Sequence, residues 1–208
     1  MSVDSPETSE TWFTSDWHLG HVNIINFCHR PFSSVEEMNE TIIERHNSRV
    51  SPTDKVFVLG DVALGKIDES LALVLRMNGT KYLIPGNHDR CWSGHAKSRP
   101  IDTTRYTEVG FTVIGEDLTY RQPKDLIFGG GLRMCHFPYA GDSHDEDRYA
   151  EHRPVQKWGK EWLIHGHVHN AWKVKDQQIN VGVDVWDFYP VPLSTIQAII
   201  AGEDLAAA

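Results

Sequence analysis

The first half of the chain alternates short apolar runs with helical patterns, and this order constrains the fold more than any other feature. The runs that are typical of buried strands are 11–14, 55–59 and 81–84. Between them, residues 34–49 open on a capping box and carry apolar residues at helical spacing, and residues 69–77 repeat that spacing. The resulting β-α-β-α-β order predicts parallel strands joined by right-handed crossovers.

The second half of the chain has a different pattern, in which short apolar runs are separated by turn residues. The predicted strands are 111–114, 126–128, 132–137, 162–165, 171–175, 178–183 and 195–200. They indicate a second, mixed or antiparallel sheet packed on the first. Because the sequence shows no repeat and no linker, we expect one domain over residues 11–208 after a polar N-terminal tail, residues 1–10.

The amino-acid composition argues for some classes of function and against others. The 29 acidic residues exceed the 20 basic ones, and the formal charge of -9 argues against a broad basic surface that neutralises many backbone phosphates. The 12 histidines point toward metal binding or acid-base chemistry. Three widely spaced cysteines predict neither a disulfide framework nor a thiolate zinc site. With no secretory signal and no long apolar run, the sequence predicts a cytoplasmic protein without a membrane partner.

Polar side chains follow the predicted strands in five short segments. These segments are Asp16-Trp17-His18, Gly60-Asp61, Asn87-His88-Asp89, His136, and His167-Val168-His169. Each segment alone is common in turns. Because the carboxyl ends of parallel strands meet at one edge of a sheet, the five segments together predict a single site.

The donor atoms in these segments suit two divalent cations. Two carboxylates, one amide and four imidazoles form a mixed set that suits Mn, Fe, Zn, Co or Ni. Of these we expect Mn²⁺. Cations about 3.5–4 Å apart need an anionic ligand between them, and Asp61 is the natural bridge. Such a pair lowers the pKa of bound water and clamps a phosphoryl group.

The segments FTSDWHLGH, VLGDV, IPGNHDR, MCHFPY and IHGHVH together resemble the calcineurin-like metallophosphoesterase superfamily, in particular its small single-domain microbial members, over roughly residues 11–170. The resemblance implies an α/β fold, a four-layer α/β/β/α sandwich with two mixed β-sheets and a dinuclear metal site at the carboxyl ends of the strands. It assigns the first metal to Asp16, His18 and His169, the second to Asn87, His136 and His167, and both to Asp61.

The resemblance also implies roles for two residues that do not bind metal. His88 would stabilise the transition state or protonate the leaving oxygen, and Asp89 would orient His88. His165, the first histidine of its segment, is interpreted as a residue at the strand end and not as a ligand. Two further residues are candidate substrate contacts: His21, just past the first ligand pair, and Arg148, in the polar loop predicted over residues 138–153.

The functional hypothesis is a phosphodiesterase in which a metal-bound hydroxide attacks phosphorus in line. Small phosphodiesters or nucleotides are the expected substrates, with 2′,3′-cyclic nucleotides as candidates and a short RNA as an alternative. A phosphomonoesterase or nuclease of the same fold remains open, as does a non-catalytic scaffold, although the complete ligand set favours catalysis. The oligomeric state is not predicted.

Overall fold

The structure, a computed structural model, describes residues 9–115, 117–120, 132–142, 148–156 and 161–203. Ten strands in this part of the chain form two five-stranded sheets. The strands of the first sheet are β1 (Thr11–Thr14), β2 (Lys55–Val58), β3 (Thr80–Leu83), β4 (Phe111–Val113) and β10 (Val191–Pro192). The strands of the second sheet are β5 (Asp117–Tyr120), β6 (Leu132–Cys135), β7 (Leu163–His165), β8 (Val174–Lys175) and β9 (Gln178–Asn180).

The first sheet has the strand order β10-β1-β2-β3-β4. Strands β1 to β4 are parallel, and β10 is antiparallel to β1. The predicted parallel arrangement of the first three strands is therefore confirmed. Phe13, Phe57 and Tyr82 lie side by side in register, and their stacked rings join the three strands on one face.

The second sheet has the order β5-β6-β7-β9-β8. Strands β6, β7 and β9 are parallel, while β5 and β8 pair antiparallel at the two edges. Two mixed sheets with helices confirm the predicted α/β class. The strand predicted at 171–175 is shorter, since only Val174–Lys175 is extended. The strand predicted at 126–128 lies outside the described residues.

Strand alternation produces three apolar clusters. Trp12, Val56 and Val58 face the helices, while Phe13 and Phe57 face the second sheet. From that sheet, Leu132, Met134, Ile164 and Ile179 complete the core between the sheets. On the outer face of the second sheet, Trp92, Cys135, Phe137 and Leu163 pack with Tyr139 and Tyr149. Tyr139 and Tyr149 of the predicted 138–153 loop thus pack on the sheet, while Arg148, Ala150, Glu151 and His152 are exposed at the surface.

Within the described ranges, five α-helices surround this framework. They are α1 (Val22–Phe27), α2 (Val35–Asn47), α3 (Ile67–Ala72), α4 (Pro100–Glu108) and α5 (Leu193–Ala201). The predicted start of α2 is confirmed, because Ser34 accepts a hydrogen bond from the Glu37 amide. The helix predicted over 69–77 begins and ends earlier, and Leu73–Arg76 continues it as a 3₁₀-helix. Two further 3₁₀-helices are Ala150–His152 and Val183–Val185.

The prediction of a strand at 195–200 is wrong, because this segment belongs to α5. Leu193, Ile196, Ile199 and Ile200 all pack toward the core between the sheets, and their spacing is that of one helical face. Gly202 ends the helix with a φ of 78°. A short apolar run fits a buried strand and a buried helix equally well, which explains the error.

Candidate metal centre

The five predicted segments meet at one edge of the molecule, where β1, β2, β3, β6 and β7 end. The backbone brings the segments together: the amides of Asp16 and His18 donate to the carbonyls of Gly60 and Asp61 over 3.0 Å. The His167 amide donates to the Asp16 carboxylate, 3.0 Å from Oδ2. Of the seven predicted ligands, six are buried and His169 is slightly exposed.

Backbone conformation marks the same residues. Five of the seven have φ in the left-handed region, a conformation that costs energy for any residue other than glycine. The values are 57° for Asp16, 51° for His18, 54° for Asp61, 71° for His167 and 47° for His169. Strain of this kind persists where the surrounding structure requires it, and it concentrates at functional sites.

Asp61 occupies the centre of the cluster. Its Oδ2 lies 3.6 Å from Nε2 of His18 and also 3.6 Å from Nε2 of His136. Its Oδ1 accepts a 2.8 Å hydrogen bond from the His88 amide, which fixes the carboxylate plane. One carboxylate oxygen thus stands between two histidines from different sheets, which is the position that a bridging ligand requires.

The first donor group contains Asp16, His18 and His169, whose ligand atoms all lie within 4.8 Å of one another. Both ring nitrogens of His18 are buried and have no hydrogen-bond partner among the described residues. Burial, together with the positive charge of neighbouring histidines, holds the pKa of His18 well below its ordinary value. A buried neutral imidazole beside two carboxylates offers a lone pair that a cation would satisfy.

The second donor group contains Asn87, His136 and His167. His136 Nδ1 lies 2.7 Å from the Leu59 carbonyl, so this nitrogen carries the proton and donates. Nε2 is then an acceptor, yet it faces two further acceptors, Asn87 Oδ1 at 3.0 Å and the Asp61 carboxylate. His167 Nδ1 lies 2.9 Å from the same amide oxygen. Lone pairs that converge without a proton between them fit a divalent cation.

Two carboxylates that were not predicted from the sequence lie beside His167 and His169, one histidine from each donor group. Asp142 Oδ2 lies 3.3 Å from His167 Nε2, and Asp184 Oδ2 lies 3.4 Å from His169 Nδ1. A carboxylate on one ring nitrogen fixes the imidazole plane and leaves the other nitrogen free to bind metal. Burial lowers the pKa of His169, but Asp184, Cys28 and Asp16 outweigh burial and raise it well above its ordinary value.

Arg30 connects this outer layer to the loop that carries the first ligands. Its guanidinium donates to both oxygens of Asp184, over 2.7 and 2.9 Å, and the pair is almost fully buried. It also donates to the Asp16 and Trp17 carbonyls over 2.8 and 3.0 Å. Burial alone would raise the pKa of Asp184, but Arg30 and His169 lower it to about 2.

Asp89 makes contacts other than the predicted one with His88. Its buried carboxylate accepts hydrogen bonds from the amides of Asp61, Val62 and Gly86 over 2.7–3.0 Å, and from the Tyr106 hydroxyl over 3.2 Å. Among the described residues, it makes no hydrogen bond to the His88 ring. Asp89 therefore ties the loop after β2 to the loop after β3, and the predicted orientation of His88 by this carboxylate is not seen.

His88 and His21 lie at the open side of the cluster. Their ring centroids are each 5.4 Å from that of His18, and both side chains are half-buried. Burial, followed by the charge of His88, lowers the pKa of His21 to about 4. The Phe27 ring lies 6.3 Å from the His21 ring, with 68% of the residue exposed.

Two other predicted positions stand apart from the donor groups. Arg148 Nη2 lies 3.2 Å from Asp142 Oδ1, so Arg148 reaches His167 only through Asp142. His165 is fully buried, with Nδ1 2.7 Å from the Gly166 carbonyl and its ring against Trp172. His165 thus lies outside both donor groups, in line with its interpretation as a residue of the strand end.

Two glycines allow the donor segments to approach one another closely. A Cβ atom at Gly86 would collide with the Asp61 carboxylate, and one at Gly166 would collide with the side chains of Ser15 and Asp16. Glycine is required at both positions because no other residue leaves room for the ligands.

A sequence model of the calcineurin-like phosphoesterases matches residues 10–171, which include all seven predicted ligands. The chain belongs to this family. It is 33% identical to the Gene 66 protein of Mycobacterium phage L5 over 190 residues, which cover 86% of this chain and 88% of that protein. It is also 33% identical to the uncharacterized protein MJ1445 of Methanocaldococcus jannaschii over 199 residues, 91% of this chain and 90% of that one.

The fold is also present in a solved structure. The protein AQ665 from Aquifex aeolicus, described as of unknown function, aligns with a TM-score of 0.67 at 23% identity, over 92% of this chain and 100% of that chain. This likeness shows that the two chains share a fold. In the described part of the chain, no helix has the length and apolar character to cross a membrane.

Proposed function

We propose that this phosphoesterase hydrolyses phosphodiesters at a centre of two divalent cations, with 2′,3′-cyclic nucleotides as the first candidates. Membership of the family makes the chain a metal-dependent phosphoesterase. The observation that carries the two-cation proposal is the position of Asp61, whose Oδ2 lies 3.6 Å from a histidine of each donor group.

In this proposal, Asp16, His18 and His169 hold one cation, Asn87, His136 and His167 hold the other, and Asp61 contacts both. The mixture of oxygen and imidazole donors is compatible with Mn²⁺, which is the proposed metal, and also with Fe, Zn, Co or Ni. When bound, the two cations lower the pKa of a water molecule and neutralise charge on the phosphoryl group.

The residues at the open side of the metal-ligand cluster are proposed to act on the substrate. His88 is proposed to protonate the leaving oxygen, because its ring stands beside His18 at the open side of the cluster and its backbone is fixed on Asp61. Asp89 contributes by holding the loops that carry Asp61 and Asn87 in place. His21 is proposed as a wall of the substrate site. Arg148 is retained as a substrate contact, since its partly exposed guanidinium extends beyond the Asp142 carboxylate.

The preference for nucleotides has a separate support. Phe27 is an exposed aromatic residue next to His21, and exposed aromatic rings provide surfaces on which bases stack. The acidic charge of -9 favours small substrates over long nucleic acid, while a short RNA remains compatible with it. This substrate class also agrees with the proposed cytoplasmic location.

A substrate panel tests the proposal. Metal-free protein is loaded with Mn²⁺ and given a chromogenic monoester, a chromogenic diester, 2′,3′- and 3′,5′-cyclic nucleotides and a short RNA. The proposal expects the highest kcat/KM for the 2′,3′-cyclic nucleotides. A higher value for the monoester would make the protein a phosphomonoesterase, and comparable rates on RNA and small diesters would make it a nuclease.

A scaffold without catalysis is the alternative from another class. His136→Ala removes a donor of the second group, whose Nε2 lies beside Asn87 and Asp61. The enzyme proposal expects loss of the second cation together with loss of hydrolysis. A wild-type protein that binds cations and hydrolyses nothing in the panel would favour the scaffold.

A further inference from the structure

A cavity of about 270 Å³ opens beside His88, on the side of the loop that follows β2. Its walls come from two segments, 63–67 and 88–97, and the polar lining is provided by His88, Arg90, His95 and Lys97. Sites that enclose a whole small molecule measure roughly 300–1,000 Å³. This cavity therefore has room for part of a substrate, and His88 forms the wall that it shares with the metal centre.

In the described part of the chain, the two cations of the lining, Arg90 and Lys97, pair with no carboxylate. No ion pair among the described residues includes Arg90 or Lys97, although the chain carries 29 acidic residues. Arg49 lies over the Tyr189 ring and not beside a carboxylate. The other arginines in the described ranges pair with carboxylates: Arg30, Arg45, Arg76, Arg99, Arg105, Arg133, Arg148 and Arg153. In a protein of charge -9, two unpaired cations that line one cavity are available for an external anion.

His95 adds a third polar group to the same wall. Its Nδ1 accepts a 3.1 Å hydrogen bond from the Lys97 amide, which holds the segment in its bend. Burial lowers the pKa of His95, and the charges of Arg90, His88 and Lys97 lower it further. The positive charges therefore act on one region of space.

We propose that this cavity binds a second anionic group of the substrate, a phosphate carried by the same molecule as the ester that is hydrolysed. The inference rests on the proposed function and extends it to substrate class. Guanidinium and ammonium groups bind phosphate oxygens through charge-assisted hydrogen bonds. The His88 amide donates to Asp61 over 2.8 Å, so the cavity and the metal centre lie within reach of one nucleotide-sized molecule.

Two substrates with the same chromogenic leaving group test this inference. One is thymidine 5′-(p-nitrophenyl phosphate), and the other is the same diester with an added 3′-phosphate. We expect the wild-type protein to show a kcat/KM about tenfold or more higher for the 3′-phosphorylated substrate, the factor that one charge-assisted hydrogen bond provides. We expect Lys97→Ala and Arg90→Ala to reduce this preference.

Lys66→Ala is the matched control, since it removes one positive charge beside the cavity from an ammonium that pairs with Glu69 over 3.3 Å. The preference should persist in that variant. Equal kcat/KM values for the two substrates in the wild-type protein, or an equal loss of preference in Lys66→Ala and Lys97→Ala, would overturn the inference. Metal content is measured for each variant, so that a folding or loading defect in Arg90→Ala is recognised.

Failure of the proposed function has a different signature, namely no hydrolysis of the diester that lacks the 3′-phosphate. In that case, calorimetric binding of thymidine 3′,5′-bisphosphate decides the inference. Binding that is about tenfold weaker in Lys97→Ala than in Lys66→Ala supports the cavity as an anion site. Equal affinity in the two variants contradicts it.

Discussion

The carboxylate of Asp142 contacts His167 on the ring nitrogen opposite the metal centre, with 3.3 Å between Oδ2 and Nε2. This contact assigns the proton to Nε2 and leaves Nδ1 facing the Asn87 amide oxygen. Asp184 has the equivalent position behind His169. The two histidines of one segment are thus each supported by a carboxylate from a different part of the chain.

We predict that Asp142→Asn weakens binding of the second cation by about 10–100-fold, the usual effect of removing such a partner from a histidine ligand. The amide can still hydrogen-bond to the ring, but it no longer polarises the imidazole. Isothermal titration with Mn²⁺ measures the change. Glu151→Gln is the control, since this exposed carboxylate lies in the same segment without contacting a proposed ligand. Unchanged affinity in Asp142→Asn would remove Asp142 from this role.

Asp184→Asn should destabilise the fold by about 3–5 kcal/mol, because it leaves the Arg30 guanidinium buried without its counter-charge. Urea unfolding in the presence of EDTA measures this loss without a contribution from metal binding. Asp187→Asn is the matched control, because it breaks the exposed pair with Arg45 and should cost at most about 1 kcal/mol. Similar losses in the two variants would contradict the account.

The ion pair of Arg30 and Asp184 also predicts how the free energy of unfolding depends on pH. The pKa of Asp184 is about 2 in the folded protein, below its ordinary value of 3.8. A lowered pKa means that the stabilisation is complete above pH 3.8 and is lost as the pH falls toward 2. Unfolding free energies of the metal-free protein should therefore fall over this window, and the fall should be smaller in Asp184→Asn. Parallel curves for the two proteins would show that another group is responsible.

His88→Ala should lower kcat by about 10²–10⁴-fold, the contribution of a positioned general acid. Metal stoichiometry should not change, since only the backbone amide of His88 contacts Asp61. The measurement combines steady-state kinetics with metal analysis of the same sample. A normal kcat, or a loss of metal that accounts for the lower rate, would exclude His88 as a proton donor.

Phe27→Ala should raise KM for nucleotide substrates by a factor that reflects one lost stacking contact, worth about 1–3 kcal/mol. The chromogenic diester without a base should be affected less. Leu75→Ala is the control for removal of an exposed apolar side chain, since 65% of Leu75 is exposed. Equal changes in KM for nucleotides in the two variants would argue against base stacking on Phe27.

The sequence predicted the location of the site because its signal is local. Each proposed ligand follows a strand, and parallel strands end at the same edge, so Asp16, Asp61 and Asn87 could be grouped without coordinates. Asp142 and Asp184 could not be grouped with them. Asp142 lies in a loop and Asp184 in the 3₁₀-helix Val183–Val185, and the contact of each with a histidine depends on tertiary packing.

The predicted strand at 195–200 was wrong for the same reason, since tertiary packing decides its structure. The apolar run at 195–200 fits both the two-residue repeat of a strand and the 3.6-residue repeat of a helix. Its packing on the core between the sheets shows that it is a helix. Helix α4 had a usable signal that the prediction missed, because Pro100 follows Arg99 at the helix start and Asp102 accepts a hydrogen bond from the Arg99 amide. Helix α1 has no side-chain cap, and its six residues are too few to show a clear helical repeat of apolar residues.

Anomalous diffraction from crystals grown with Mn²⁺ shows whether two divalent cations bind on either side of Asp61. We expect two manganese peaks about 3.5–4 Å apart. One should be contacted by Asp16, His18 and His169, the other by Asn87, His136 and His167, and both by Asp61. A single peak, or a peak held by Cys28 and Asp184 in place of Asp61, would contradict this expectation.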